Sequence, residues 1–460
     1  MTASLQRIDS FLESNLDRYL ADLSRLCAQP SVSARREGTA ECAVLVAQLL
    51  EKYGLRARII PTDGDPVIVG QITGQSARTL LCYNHYDVQP PEPLDQWQSP
   101  PFEPTIRDGR FYARGARDDK GEIVARLAAL DAARRANDGQ LPCGVTFVVE
   151  GEEEIASPHI APFVRDHIDL LKCDGALWEE GGLNDQEQPT MGLGCRGILY
   201  VELAVETLAR DAHSGAASLL PNAAWRLLRA LATIKDDHER VVIPGFYERT
   251  LPPTALDEQL MDAMPDPEPA ARAAYAVKHF VRGLTGRALN RAVFSPTANL
   301  AGLASGFQGE GLKTVIPARA SAKLDFRLVP DQDPEEIFGK LRAHLDAQGF
   351  ADVQLTRLGQ MWPYKAAGDH PLIKLTVEAA EMVYRKNYQL VPMFGGSSPI
   401  YAFARPLGNI PVISAGVGFG LNSRAHAPNE NIRLIDFLNA ARHIARIMDG
   451  FAEVPWGADV

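Results

Sequence analysis

Three apolar stretches in the first half of the chain run straight into acidic or imidazole side chains. Thr79–Asn84 gives way to His85-Tyr86-Asp87, Val145–Glu150 to Gly151-Glu152-Glu153-Glu154, and Ala176–Trp178 to Glu179-Glu180-Gly181-Gly182. All are strand-length, and Pro66–Ile72 is another of the same kind. Between them the spacing turns helical: Glu41–Tyr53 is stopped by Gly54, and Glu122–Ala136 is amphipathic. Strands alternating with helices predict an α/β layered domain. In open sheets of that class, sites lie just past the carboxyl ends of strands, which is where His85 and the acids stand.

Leu5 to Leu26 repeats apolar residues at spacings of three and four, predicting one helix before a loop around Pro30–Gly38. Beyond residue 197 the pattern changes. Ile198–Val205 reads as a strand and Pro221–Ile234 as a helix, and a polar, proline-interrupted stretch follows from Asp236 to about Pro269. Strands at Ala298–Leu303, Ala320–Leu328 and Val353–Leu358, with a helix at Glu335–Gln348, complete an inserted βαββαβ module. Helices at Pro371–Arg385 and Ile435–Asp449 close the chain around a glycine-rich segment. At 460 residues the chain exceeds what one hydrophobic core usually serves, so two domains are expected.

A formal net charge of −11 leaves no electrostatic footprint for nucleic acid and would repel an anionic membrane surface. No apolar run reaches the ~18 residues of a membrane span. Met1–Cys27 has neither a basic start nor a continuous apolar stretch, and it carries Asp9, Glu13, Asp17 and Asp22, so it does not read as a signal peptide. Cys27, Cys42, Cys82, Cys143, Cys173 and Cys195 are scattered. That speaks against a disulfide framework or a four-cysteine zinc site, and for a reducing cytoplasm.

His85 can offer a neutral imidazole nitrogen to a metal, and Asp87 can take the other ring N–H and fix the tautomer. Asp118 and Asp119, in the segment Ala113–Gly121, could simply cap the following helix. Alternatively Asp118 shares its two oxygens between cations ~3.5–4 Å apart. Acids ending an apolar strand, as at Glu150–Glu154, repel one another unless a cation offsets them. One glutamate can bind that cation while its neighbour acts as general base. Ala425-His426-Ala427-Pro428-Asn429-Glu430 adds a late histidine after a glycine-rich loop. Each motif alone is weak; their joint occurrence in this order is the signal.

From His85 onward the chain resembles the dinuclear zinc peptidase family of carboxypeptidase G, succinyl-diaminopimelate desuccinylase, acetylornithine deacetylase and the carnosine-type dipeptidases. The most specific pieces are His85-Tyr86-Asp87, Arg114–Gly121 and Glu152-Glu153-Glu154. The resemblance implies His85 and Asp118 on one metal, with Asp118 bridging to a second metal completed by Glu154 and His426. It implies Glu153 as general base and acid, Asp87 supporting His85, and a cis Asp118–Asp119 peptide. The first metal's carboxylate is Glu179 by the Trp-Glu-x-Gly-Gly look of its segment and Glu180 by counting from Asp174; Glu179 is preferred. The inserted module resembles the family's lid and dimerisation domain. Within Asp211-Ala212-His213-Ser214-Gly215, His213 would reach the partner subunit's active site and stabilise an oxyanion. Asn299 and Arg327 resemble substrate contacts, and guanidinium suits a carboxylate as a planar two-point donor. Gly395-Gly396-Ser397 resembles the loop that holds that carboxylate through backbone N–H and a hydroxyl. Ile243–Tyr247, Lys313–Pro317 and the enlarged lid lean toward the dipeptidase branch.

The implied fold class is α/β: a catalytic domain with a mixed, mostly parallel sheet flanked by helices, plus the inserted α+β (βαββαβ) lid/dimerisation domain. Residues 1–196 and 363–460 would form the first domain and 197–362 the second. The expected enzyme is a cytoplasmic dipeptidase with two divalent metal ions, zinc by preference and manganese or cobalt otherwise. Its partners would be a small peptide or N-acyl amino acid substrate and a second copy of the chain, with no nucleic acid and no membrane. An N-acyl amino acid deacylase is the alternative. An inactive binding protein on this fold is a remote one, since every ligand position and Glu153 are filled. His159, His167, His238, His279, His344, His370 and His443 lack a motif and read as surface or packing residues.

Overall fold

The computed structural model describes residues 3–455; residues 1–2 and 456–460, the outer ends of the expected first domain, lie outside them. The described chain divides into two compact units, residues 3–193, 366–391 and 402–455 forming one and residues 194–365 and 392–401 the other. In chain order the principal strands are β1 (Arg56–Ile60), β2 (Val67–Ile72), β3 (Thr79–His85), β4 (Gly144–Glu150), β5 (Gly175–Trp178), β6 (Gly197–Glu206), β7 (Thr297–Ser305), β8 (Arg319–Leu328), β9 (Gln354–Met361) and β10 (Val412–Ser414). The helices used below are α1 (Leu16–Ala28), α2 (Lys120–Ala136), α3 (Ala223–Ala232), α4 (Pro334–Ala347), α5 (Pro371–Tyr384) and α6 (Leu434–Phe451).

The first unit is built on a six-stranded sheet in the order β1-β2-β4-β3-β5-β10. β4, β3, β5 and β10 run parallel, and β1 and β2 join antiparallel. β4 is buried along its whole length and β3 from Leu80 onward, the burial of a sheet covered on both faces. Helix α2 is buried on nearly every side and packs against α6.

One expectation is corrected here. The single N-terminal helix is two, Ala3–Ser14 and α1, parted at Asn15 (φ −115, ψ 9). There Ser14 Oγ and Asn15 Nδ2 donate to the carbonyls of Ser10 and Phe11, side-chain bonds that compete with helix continuation. The glycine-rich segment near the end contains β10, whose three residues are too few to show a period.

The second unit holds an antiparallel sheet in the order β7-β8-β6-β9. Leu199, Val201, Leu203 and Val205 alternate inward along β6 and meet Leu227 of α3 and Leu341 of α4. The element order is the expected βαββαβ. The polar connection is more ordered than its composition implies: it contains the helix Ala255–Ala263, opened by a Thr254/Asp257 capping box, and the helix Glu268–Tyr275.

Candidate metal centre

The site of the first unit is assembled from strand ends. His85 is the last residue of β3, Glu153 and Glu154 stand in a short turn just after β4, and Glu179 follows β5 directly. Asp118 stands two residues before α2, and the Asp118–Asp119 peptide is cis. His426 comes from a late loop and takes a left-handed backbone (φ 60), a conformation that is uncommon away from glycine and gathers at functional sites.

The two oxygens of Asp118 face different histidines. Oδ1 lies 3.0 Å from His85 Nε2 and Oδ2 2.9 Å from His426 Nε2. His426 Nε2 is also 3.2 Å from Glu154 Oε2. One ligand atom from each of Asp118, Glu154 and His426 lies within 4.8 Å of the others. On its far side His85 Nδ1 meets the backbone carbonyl of Asp87 at 3.0 Å and its carboxylate at 3.3 Å. The Asp87 carboxylate also accepts from the backbone N–H of Glu153 (3.2 Å) and Glu154 (3.0 Å), so one buried acid orients both the imidazole and the glutamate turn.

The electrostatics describe a centre short of positive charge. Hydrogen bonds to Asp118 and Glu154 push His426 up to about 10. Burial works against a charged His85, yet Asp118 and Asp87 hold it well above its ordinary value. Burial, with Glu154, Asp118 and Asp87 close by, lifts Glu153 to about 7, His85 opposing it. Burial first, then Glu153, holds Glu179 well above the carboxylate range. Glu154 Oε1 and Glu179 Oε2 are buried and have no hydrogen-bond partner among the described residues. Buried carboxylate oxygens left unpaired are costly unless a cation takes them. Imidazole and carboxylate donors of this kind suit divalent ions, so the residues fit a metal. Glu180, in contrast to Glu179, is exposed.

Three side chains that hold this centre were not singled out by motif. Glu430 is fully buried, and its carboxylate accepts from Arg114 Nη1 (2.6 Å) and from the backbone N–H of Gly115 (3.1 Å), Arg117 (2.8 Å) and Asp118 (3.0 Å). It therefore ties the His426 loop to the Asp118 loop. Asp119 Oδ2 accepts from Asn84 Nδ2 (2.6 Å) and the backbone N–H of His85 (3.0 Å). Arg126 donates to the carbonyls of Tyr83, Leu177 and Trp178 and so pins the ends of β3 and β5. Glu430 sits in the quoted late motif and Asp119 beside a quoted ligand, but their bonds go largely to main chain, which carries no residue-type signal.

The remaining predicted residues lie in the second unit. His213 is exposed; its Nδ1 accepts from Gly215 N–H (3.0 Å), and Nε2 is 3.3 Å from Thr314 Oγ1. Arg327 Nη1 donates to Ser397 Oγ at 2.9 Å, which brings two predicted carboxylate contacts together. Asn299 Nδ2 donates to Asp325 (2.8 Å), and Asp325 lies 3.7 Å from Arg327 Nε. At Gly395 and Gly396 an added Cβ would meet nothing within 4 Å.

A family model described as Peptidase family M20/M25/M40 matches residues 81–450. The chain is 27% identical to the Cys-Gly metallodipeptidase of Schizosaccharomyces pombe, over 99% of this chain and 100% of that protein. It is 23% identical to the Beta-Ala-His dipeptidase of Rattus norvegicus, over 96% of this chain and 95% of that protein. The crystal structure of an M20 family metallo-carboxypeptidase, Sso-CP2 from Sulfolobus solfataricus, superposes with a TM-score of 0.87 at 35% identity, covering 95% of this chain and 99% of that one.

Proposed function

The chain belongs to peptidase family M20/M25/M40, and on that premise we propose that it is a two-metal dipeptidase whose substrates end in a free carboxylate. The observation that carries this reading is Asp118, whose two oxygens face His85 and His426 separately. We assign His85, Asp118 and Glu179 to one divalent ion and Asp118, Glu154 and His426 to the other, with zinc as the native metal. Burial and an unpartnered Oε2 favour Glu179 over Glu180. When bound, the pair of cations lowers the pKa of a water and polarises the scissile carbonyl.

The chain's own groups do the rest. Glu153 takes the proton of the attacking water and returns it to the leaving amine. Asp87 keeps Glu153 in place through its backbone N–H. His213, from the partner subunit of a homodimer, donates to the developing oxyanion. Arg327 and Ser397 hold the substrate carboxylate, with Asn299, Gly395 and Gly396 beside them, and fix its register. We place the enzyme in the cytoplasm. Cys27, Cys42, Cys82, Cys143 and Cys173 are free thiols, and no helix among the described residues is long and apolar enough to cross a membrane.

The test is hydrolysis of dipeptides beside tripeptides, N-acetyl and N-succinyl amino acids, by protein loaded with zinc, manganese or cobalt. Chelator-sensitive cleavage of dipeptides is expected. Activity confined to acyl amino acids would move the enzyme to the deacylases, and preference for longer peptides would make it a carboxypeptidase, the activity named for the Sulfolobus relative.

A further inference from the structure

We propose that Arg196 is a positioning residue for the substrate carboxylate, holding Arg327 and the Ser397 loop and supplying the positive charge that an anion must balance. This rests on the reading above, that the substrate ends in a free carboxylate. Arg196 immediately precedes β6 and is 8% exposed. Its Nη2 donates to the carbonyls of Ser295 (2.7 Å) and Arg327 (3.2 Å) and to Thr297 Oγ1 (3.4 Å), and its backbone N–H donates to the carbonyl of Gly396 (2.9 Å). One residue thus touches the start of β7, the end of β8 and the loop that carries Ser397.

The charges around it do not close. All of Arg196's hydrogen bonds go to neutral oxygens, and no carboxylate among the described residues pairs with it. Its Nε is buried without a partner. Burial first, and Arg327 second, lower the guanidinium to about 10, which leaves it charged at neutral pH. The carboxylate set against the two guanidiniums is Asp325, already engaged by Asn299 and Arg327. A buried cation without a counter-ion is costly. A Cβ added at Gly395 or Gly396, next to Ser397, would meet nothing within 4 Å, so the loop whose carbonyl Arg196 holds leaves open space beside the Arg327–Ser397 bond.

The experiment compares alanylglycine with alanylglycinamide as substrates of the metal-loaded protein, in wild type, Arg196→Met and Arg196→Lys. Arg196→Met should raise KM for alanylglycine roughly 10- to 100-fold, the worth of a charge-assisted hydrogen bond. Its kcat, and KM for the amide, should change little. Arg196→Lys should recover part of the loss. Calorimetric binding of acetylglycine and acetylglycinamide follows the same seat without turnover. A fall in melting temperature with the acid-to-amide preference intact would reduce Arg196 to a strut and overturn the proposal. Wild-type protein that binds acetylglycine and its amide alike would overturn it too. Absence of peptide cleavage with that binding preference intact would instead overturn the dipeptidase reading and leave the seat standing.

Discussion

Glu153 is held by its main chain: its N–H donates to Asp87, and its carboxyl makes no hydrogen bond among the described residues. A group that must take and give a proton needs that freedom. Glu153→Gln keeps the shape and loses the base, so kcat should fall ~10²–10⁴-fold while metal content, measured on the purified protein, stays at the wild-type level. Near-normal turnover would remove Glu153 from the mechanism. Glu430 is the opposite case, a carboxylate saturated by four N–H donors. In Glu430→Gln an amide NH₂ must face two of those donors, and buried Arg114 loses its ion pair. We expect a loss of roughly 3–5 kcal/mol in urea unfolding and weaker metal binding in a chelator competition, because the Asp118 loop is released. A variant within ~0.5 kcal/mol of wild type would show that the clamp is dispensable.

At the scale of elements, Gly181 and Gly182 explain why acids end β5 where they do. Gly182 has φ +114 and pairs in parallel with Gly418, so close that a Cβ on it would sit 2.2 Å from the Gly418 carbonyl oxygen. Gly181 has φ +147, and a Cβ on it would sit 2.7 Å from the Gly416 nitrogen. Gly182→Ala should therefore cost roughly 2–4 kcal/mol, strain and overpacking together, well above an ordinary Gly→Ala change, and should disturb Glu179 three residues earlier. Urea unfolding checks the first and metal titration the second; a neutral variant would mean that the two short strands can part cheaply. The pair of glycines was legible as a motif, but its reason was not, because the partner strand lies more than 230 residues away. Strands β3, β4 and β5 were legible because each is apolar and stops at a charge. Edge strand β1 was not, since its residues are all exposed or half-buried and offer no apolar run.

For the whole molecule, the βαββαβ insertion could be read from alternating periods, and His426 was set apart by its late motif, whereas His443, without one, could be read only as a surface or packing residue; which of the two it is depends on a helix contact the sequence does not show. His443 lies on α6, buried, with Nε2 2.9 Å from the Thr376 carbonyl of α5 and its ring against Tyr384 and Tyr388. Burial drives it from an ordinary 6.5 down to about 4. Its folded pKa is thus below its unfolded one, so between those values the unfolded chain binds the extra proton. The stability it protects is complete above pH ~6.5 and is lost as the pH falls toward ~4, by at most roughly 3 kcal/mol. His443→Gln retains a donor for the Thr376 carbonyl and cannot titrate. Urea unfolding of metal-free wild type and variant, at steps between pH 7 and 4, should show the wild type losing the larger stability, with the difference growing below pH 6.5. Parallel curves would mean that His443 is protonated in the folded state and that the α5–α6 contact is more hydrated than its burial implies.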